Sequence, residues 1–201
     1  MGPAHTLPTV TSAPAEQARR TYLLVDGENI DATLGNSILA GRPTPDQRPR
    51  WDRIREFAAS EWGQPVNGLF FLNASSGSLP MTFVQALLAM GYQPIPLAGN
   101  GTEKVVDIGI QRTLEALADR DGDVLLASHD GDFLPQMRAL LDGERRVGLL
   151  AFREFVNTGF AELVRDGLTV FDLEDRVKSF NVVLPRVRII ALEDFDPLRY
   201  L

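Results

Sequence analysis

The sequence predicts an α/β fold of three layers, in which helices cover both faces of a mostly parallel central sheet. Apolar runs of strand length alternate with helical patterns from residue 21 to residue 173. Strict alternation of this kind is typical of parallel sheets, because each crossover between parallel strands needs a helix. The chain has 201 residues, is 44% hydrophobic and shows no internal repeat, which indicates one domain with a substantial core.

The first half of the domain contains three predicted strands and two predicted helices. TYLLVD (21–26) and VNGLFFLN (66–73) are apolar runs of strand length. WDRIREFAASEWG (51–63) and PMTFVQALLAMG (80–91) have helical spacing, and the second ends at Gly91. YQPIPLA (92–98) is a short strand, whose two prolines favour the edge of the sheet or an early end.

The second half begins with the longest predicted helix, EKVVDIGIQRTLEALAD (103–119). Its apolar residues recur on one face at Val106, Ile110, Leu114 and Leu117. Three strands and two helices then alternate: DVLLAS (123–128), FLPQMRALLDG (133–143), RVGLLAF (146–152), VNTGFAELVRDG (156–167) and LTVFDL (168–173). The folded domain is therefore predicted over residues 21–175.

The two ends of the chain differ from this pattern. Residues 1–20 are rich in Pro, Thr, Ala and Ser without a period, which predicts a flexible leader. Residues 176–201 form a C-terminal extension that contains VVLPRVRII. This segment could add an edge strand or contact a second subunit of a homodimer, and both roles remain open.

Composition limits the chemistry that the chain can perform. There are no cysteines, and the only histidines are His5 and His129, which excludes disulfides and thiolate metal sites and disfavours zinc or a histidine relay. A metal would need oxygen ligands, which suit Mg²⁺ or Mn²⁺. The sequence has no apolar run of about 20 residues and no secretory signal pattern, so we expect a soluble cytoplasmic protein without membrane contact.

Carboxylates are predicted to converge at one edge of the sheet. Asp26 ends the first strand, and Asp130 and Asp132 follow the strand DVLLAS. Asp107 lies near the start of the long helix, which begins at the same edge because it follows a strand. Ligands of open α/β sheets bind at this edge. Ionised carboxylates in one small volume need a compensating cation, and a divalent ion there suits phosphodiester hydrolysis.

Each acid alone has a simpler structural interpretation. Asp26 before Gly27 suits a turn, Asp107 suits a solvated helix position, and Asp132 could cap the helix that follows it. It is their combination at one edge that favours a cation site.

Three segments resemble the NYN domains, a family of PIN-like metal-dependent ribonucleases that includes the LabA-like bacterial proteins. YLLVDGENI, EKVVDIGIQRTL and LLASHDGDF occur in the order and approximate spacing of that family. The resemblance covers roughly residues 21–173. It implies a PIN-like three-layer α/β/α fold and hydrolysis of RNA with an Mg²⁺ or Mn²⁺ cofactor, leaving a 5′-phosphate and a 3′-hydroxyl.

The resemblance also implies roles for particular residues of this sequence. Asp26, Asp107 and Asp130 would be catalytic metal ligands, and Asp132 would be a further ligand or would hold a water on the metal. The supporting roles would fall to Asn29, which orients a carboxylate or water, to Ser128, which forms hydrogen bonds in the acidic loop, and to Lys104, which meets the substrate phosphate.

One position departs from the family pattern and motivates an alternative. Many members carry another aspartate about one and a half turns after the helix acid, whereas this chain has Thr113, with Glu115 beyond it. The alternative is a catalytically weak module that binds RNA or a protein partner. Other phosphotransfer sites fit less well, since haloacid-dehalogenase phosphatases need an aspartate where Glu28 stands, and the first-strand glutamate of topoisomerase-primase sites is not evident.

Binding of RNA by a chain of net charge −7 needs a local basic region. GRPTPDQRPRWDRIR (41–55) holds five arginines against two aspartates. Arg48, Arg50 and Arg53 are the predicted phosphate contacts, although solvated arginines are an equally valid interpretation. Trp51 could stack on a base, but a buried position at the start of the helix is favoured. His129 is expected to be structural or solvent-facing, and its carboxylate neighbours should favour the protonated form of its ring.

Overall fold

A computed structural model describes residues 19–186, 190, 192–199 and 201 of the chain. Its centre is a six-stranded sheet in which every neighbouring pair of strands is parallel. The strands are β1 (Thr21–Asp26), β2 (Val66–Asn73), β3 (Tyr92–Leu97), β4 (Asp123–Ala127), β5 (Val147–Ala151) and β6 (Thr169–Asp172). The α-helices are α1 (Gly27–Thr33), α2 (Trp51–Trp62), α3 (Met81–Ala89), α4 (Val105–Ala118), α5 (Leu134–Leu140) and α6 (Thr158–Leu163). The predicted three-layer α/β fold is confirmed.

The strand order β3-β2-β1-β4-β5-β6 creates a switch point at the centre of the sheet. The chain runs outward from β1 to β3 on one side, then crosses back to β4 and runs outward on the other. Strands β1 and β4 are direct neighbours, with Val25 opposite Ala127. Their carboxyl ends therefore flank the crevice in which open α/β sheets bind ligands.

The sheet has a hydrophobic core on each face, which explains its continuous apolar strands. In β1, Leu23 and Val25 pack into the core beneath α1 and α2, whereas Leu24 packs into the core beneath α4 and α5. All three side chains are fully buried. A strand covered by helices on both faces lacks the alternation of a half-exposed strand.

The long helix α4 follows its predicted apolar face. Val106, Ile110, Leu114 and Leu117 are all buried in the core that also contains Leu24. This packing fixes the rotation of α4 about its axis. As a result, Asp107, one residue after the buried Val106, is directed to the rim of the sheet, with its side chain 19% exposed.

The segment after β1 is helical, which the sequence interpretation missed. Helix α1 continues into a π-helix over Leu34–Leu39. Its first turn is capped by Asp26, whose carboxylate accepts a hydrogen bond from the Asn29 backbone N–H. Ile30, Leu34 and Ile38 recur every four residues and are buried, and this spacing was the available sequence signal.

At the amino ends of the strands, Asp123 links several segments of the chain. It is the first residue of β4, and its side chain is buried. Arg19 and Arg146 each donate hydrogen bonds to it, and Gln64 donates another at 2.9 Å. Burial opposes ionisation of Asp123, but these hydrogen bonds together outweigh it and lower the pKa of the carboxyl. The network joins the segment before β1 to the segments before β2, β4 and β5.

The described part of the C-terminal extension folds back on the domain. Ser179 donates a hydrogen bond to the Leu173 carbonyl, and its own carbonyl accepts one from the Arg50 N–H. Residues 182–186 form no strand, so this part of VVLPRVRII does not extend the sheet, and 187–189 lie outside the described residues. The predicted leader lies outside them too, apart from residues 19 and 20. Within the described residues, no helix is both long enough and apolar enough to cross a membrane.

Candidate metal centre

The four predicted acids come from three elements that end or begin at the same edge of the sheet. Asp26 is the last residue of β1, and Asp107 lies in the first turn of α4. Asp130 and Asp132 lie in the loop between β4 and α5, where Asp130 caps a short 3-10 helix over Gly131–Phe133. The crevice between β1 and β4 is thus lined with carboxylates.

Three of these carboxylates form a compact cluster. Asp107, Asp130 and Asp132 each place one carboxylate oxygen within 4.8 Å of the others. Such hard oxygen donors suit Mg²⁺ or Mn²⁺, which bind carboxylates together with water and substrate phosphates. The chemistry of the donor set therefore fits the divalent cation that the sequence predicted.

The ammonium group of Lys104 partly neutralises the negative charge of this cluster. Its ammonium group lies 3.3 Å from an oxygen of Asp107 and 3.3 Å from an oxygen of Asp132. Both carboxylates raise the pKa of Lys104, with the hydrogen bond to Asp132 contributing most. The lysine side chain is 69% exposed, so it is free to turn toward a ligand at the rim.

Asp26 is the buried member of the site, and it lies outside the cluster of three. It is 2% exposed, and burial raises its pKa from 3.8 to about 6, with smaller contributions from the charges of Asp107 and Asp130. The Asn29 N–H donates to one of its oxygens at 3.1 Å, and the Ser128 hydroxyl donates to the other at 3.0 Å. These two hydrogen bonds only partly offset the cost of burying the charge.

Ser128 and Asn29 tie the acidic loop to the end of β1. Besides donating to Asp26, Ser128 Oγ accepts a hydrogen bond from the Asp130 N–H at 3.1 Å. The Asn29 side-chain oxygen accepts from the His129 N–H at 2.8 Å. The side chain of Asn29 therefore positions the loop, and the hydrogen bond to Asp26 comes from its backbone.

His129 is structural and neutral, so the prediction of a protonated side chain is wrong. It is 8% exposed and stacks on Phe152 with the two ring planes 7° apart. Its Nε2 accepts a hydrogen bond from the Phe152 N–H at 2.8 Å, which leaves Nδ1 to donate to Asn29. Burial lowers its pKa to about 4, because it is costly to charge a ring that is removed from water.

The structure reverses the expected roles of the two loop aspartates in helix capping. Asp130 Oδ1 accepts from the Asp132 N–H at 2.9 Å and is the cap, whereas Asp132 caps nothing and its side chain is 57% exposed. Gly131 stands between them because a Cβ there would lie 2.7 Å from the Asn157 side-chain nitrogen. The tight Asp-Gly-Asp loop is therefore set by its contact with the start of α6.

Gln111 is a site residue that the sequence interpretation missed. It lies one turn after Asp107 on α4, and its amide donates a hydrogen bond to the Asp132 carbonyl at 3.1 Å. Thr113, where the family aspartate was expected, instead donates to the Gly109 carbonyl and lines a groove between α4 and β3. The spacing of four residues from Asp107 was the signal for Gln111.

All three arginines predicted to meet RNA have partners within the protein. Arg53 donates to the carbonyls of Lys178 and Phe180 in the C-terminal extension, and Arg50 pairs with Asp52 at 2.8 Å. Arg48 instead lies 3.3 Å from Asp31 beside the end of β1. Of the three arginines, Arg48 is therefore the one that faces a cavity near the acids.

Trp51 begins α2 and is 8% exposed, as favoured from the sequence. Its ring meets Phe70 edge to face, with 5.0 Å between centroids. Trp51 therefore belongs to the core, and its ring is not exposed on the surface for a base to stack on.

Comparison with known proteins assigns the domain and its fold. The family model of the NYN domain matches residues 20–167. A solved structure of a Vibrio parahaemolyticus protein of unknown function is similar, with a TM-score of 0.61 and 18% identity over 82% of this chain and 98% of that one. At this identity the similarity shows the fold alone. No curated protein matches the sequence.

Proposed function

Since the chain belongs to the NYN domain family, we propose that it is a metal-dependent ribonuclease that hydrolyses RNA phosphodiester bonds at the acidic cluster. The observation that carries this proposal is the cluster itself. Three carboxylates from α4 and the β4–α5 loop place oxygens within 4.8 Å of one another, at the switch point where ligands of this sheet class bind.

The buried state of Asp26 supports the same proposal. A carboxyl held at 2% exposure with its pKa raised to about 6 lowers the stability of the folded chain at neutral pH. Such an arrangement persists in functional sites, where it prepares a position for an opposite charge. No cationic side chain contacts Asp26 among the described residues, and a divalent ion beside the cluster would supply that charge.

Different residues are proposed to bind the cation, to position the acidic loop and to bind the substrate. Asp107, Asp130 and Asp132 would bind the ion. Asp26, buried at the end of β1, would add a fourth negative charge. Bound there, Mg²⁺ or Mn²⁺ supplies the charge that stabilises a phosphodiester under attack and that acidifies water. Ser128 and Asn29 keep the acidic loop in register with β1 through their hydrogen bonds, and Gln111 holds the Asp132 backbone.

Lys104 completes the site on the substrate side. Its exposed ammonium group already lies at the mouth of the cluster, where a phosphate of the RNA backbone would meet it. Once the charges of Asp107 and Asp132 were neutralised, Lys104 would be free for that contact. Lys104 is therefore proposed to bind the substrate and not the metal.

The test is cleavage of a mixed-sequence RNA by the purified chain in Mg²⁺ or Mn²⁺, with EDTA as the negative condition. We expect cleavage that leaves 5′-phosphate ends and that is lost in Asp26→Asn and Asp130→Asn. Asp119→Asn is the matched control, since Asp119 is an exposed acid at the far end of α4. If the intact protein binds RNA and does not cut it in either metal, the proposal is wrong and the chain is an RNA-binding module.

A further inference from the structure

A cavity of about 340 Å³ opens beside Asp26, on the face of the sheet opposite α4. It is formed where α1 begins, where β2 ends and where α3 begins. Its lining includes Gly27, Asp31, Arg42, Arg48, Phe70 and Phe83. None of these residues belongs to the acidic cluster, so the cavity is a separate feature of the same sheet edge.

The walls of the cavity are aromatic. Phe70 lies at its base and is 2% exposed, and Phe83 stands against it edge to face, with 5.4 Å between centroids. Phe83 is only partly buried, so part of its ring faces the cavity. Aromatic walls of this kind accept a flat ring, and stacking on them tolerates any nucleobase because every base has a π-face.

The rim of the cavity is charged, in contrast to its base. Arg48 and Asp31 form an ion pair of 3.3 Å there, with side chains 41% and 32% exposed. Arg42 is exposed and lies close enough to Asp31 to influence its carboxyl. Guanidinium groups bind phosphate oxygens and the polar edges of bases. A carboxylate accepts hydrogen bonds from the amino groups of bases. An apolar base with such a rim matches a nucleotide better than it matches a purely apolar ligand.

The cavity reaches the residue that directly follows Asp26 in the chain. Gly27, which directly follows Asp26, contributes to the wall, and a Cβ at this position would lie 2.6 Å from Phe70 Cζ. The backbone of Gly27 therefore packs closely against the Phe70 ring, one residue after the buried carboxylate. A strand of RNA with one phosphate at the acids can place a neighbouring base in the cavity.

We propose that this cavity binds one nucleobase of single-stranded RNA, next to the phosphate that lies at the acidic cluster. This inference rests on the proposed function for its ligand. It adds a positioning site: the partly exposed ring of Phe83 would hold the base above Phe70, while Arg42 and Arg48 would hold its polar edge or the adjoining phosphate. Base contact at this position would fix the register of the RNA relative to the acids.

The test measures binding, so that it does not depend on cleavage. A short single-stranded RNA carrying a fluorescent label is titrated in Ca²⁺, which binds carboxylate oxygens and so neutralises the acidic cluster. The RNA is used intact and as a series in which each member lacks one base. We expect one position at which loss of the base weakens binding to the wild-type protein about tenfold, the size typical of one stacked base. In Phe83→Ala, loss of the same base should have little further effect.

Two further variants control the experiment. Leu88→Ala changes an exposed residue of the same helix, 57% exposed, and should keep the full effect of the missing base. Arg42→Ala removes an exposed side chain of the rim and so leaves the core intact. It should weaken binding of the intact RNA more than binding of the RNA that lacks the critical base.

The outcomes separate this inference from the ribonuclease proposal. If every missing base has the same effect in the wild type, Phe83→Ala and Arg42→Ala, the cavity does not bind a base, whether or not the protein cleaves RNA. Failure to bind RNA at all would overturn it as well. Coupling between Phe83 and one base without cleavage would support the base site and contradict the ribonuclease proposal alone.

Discussion

Replacing Asp26 with asparagine should make the metal-free protein more stable while abolishing the proposed activity. Asparagine has nearly the same shape as aspartate and carries no charge. Its side-chain oxygen can still accept from the Asn29 N–H, and its amide can donate to the Ser128 hydroxyl oxygen. The substitution thus keeps the two hydrogen bonds of Asp26 and removes the buried charge.

The magnitude follows from the pKa of Asp26. Burial raises it from 3.8 to about 6, and each pH unit of displacement corresponds to about 1.4 kcal/mol. The folded state therefore holds its proton more tightly than the unfolded state does. Wild-type stability should fall as the pH rises from about 4 to about 6 and stay level above that. At pH 8 the asparagine variant should be more stable by up to about 3 kcal/mol, and near pH 4 the difference should shrink to less than about 1 kcal/mol.

Urea unfolding in EDTA, measured at pH 4 and pH 8, tests this directly. Asp132→Asn is the matched control, because that side chain is 57% exposed and buries no charge. Added Mn²⁺ should then stabilise the wild type more than Asp26→Asn. Equal stability of the wild type and Asp26→Asn at both pH values would refute the argument that the buried charge of Asp26 lowers the free energy of unfolding.

Three further predictions concern the surroundings of the site. Lys104→Ala should strengthen Mn²⁺ binding by up to about fivefold in calorimetry, the range of an exposed ion pair, and should weaken RNA binding. Gly131→Ala should displace the Asn157 cap of α6, lower stability by about 1 kcal/mol and reduce cleavage, whereas unchanged kinetics would show that the loop tolerates a side chain. Asp123→Asn should cost about 2 kcal/mol of unfolding free energy at pH 7. Because the folded pKa of Asp123 is lowered, this loss should shrink below pH 4, and a constant difference from pH 3 to pH 7 would contradict the reasoning.

The fold was predictable because its signals are local. Continuous apolar runs mark strands covered on both faces, and the spacing of Val106, Ile110 and Leu114 fixed the buried face of α4. The helix after β1 was not predicted, since Asp26-Gly27 suits a turn as well as a cap and the spacing of Ile30, Leu34 and Ile38 was overlooked. The C-terminal extension shows the same limit, because VVLPR is apolar enough for a strand but docks without one.

The site was predictable as a set of acids and not as a geometry. Strand ends and a helix start placed the four carboxylates at one edge, but no spacing rule distinguishes Asp130 from Asp132 as the cap. The neutral state of His129 depends on Phe152, 23 residues away, and the anchoring of Arg53 depends on Phe180, 127 residues away. Contacts between distant segments decide such roles, and a single sequence does not record them.

The central claim is that the acids at the switch point form one divalent-cation site. It is tested most directly by a crystal structure of the protein with Mn²⁺, in which the ion is located by its anomalous scattering. We predict a peak in contact with carboxylate oxygens of Asp107 and Asp130, with Lys104 turned away from the cluster. A peak bound elsewhere, or none at the cluster with Lys104 still between Asp107 and Asp132, would contradict the account.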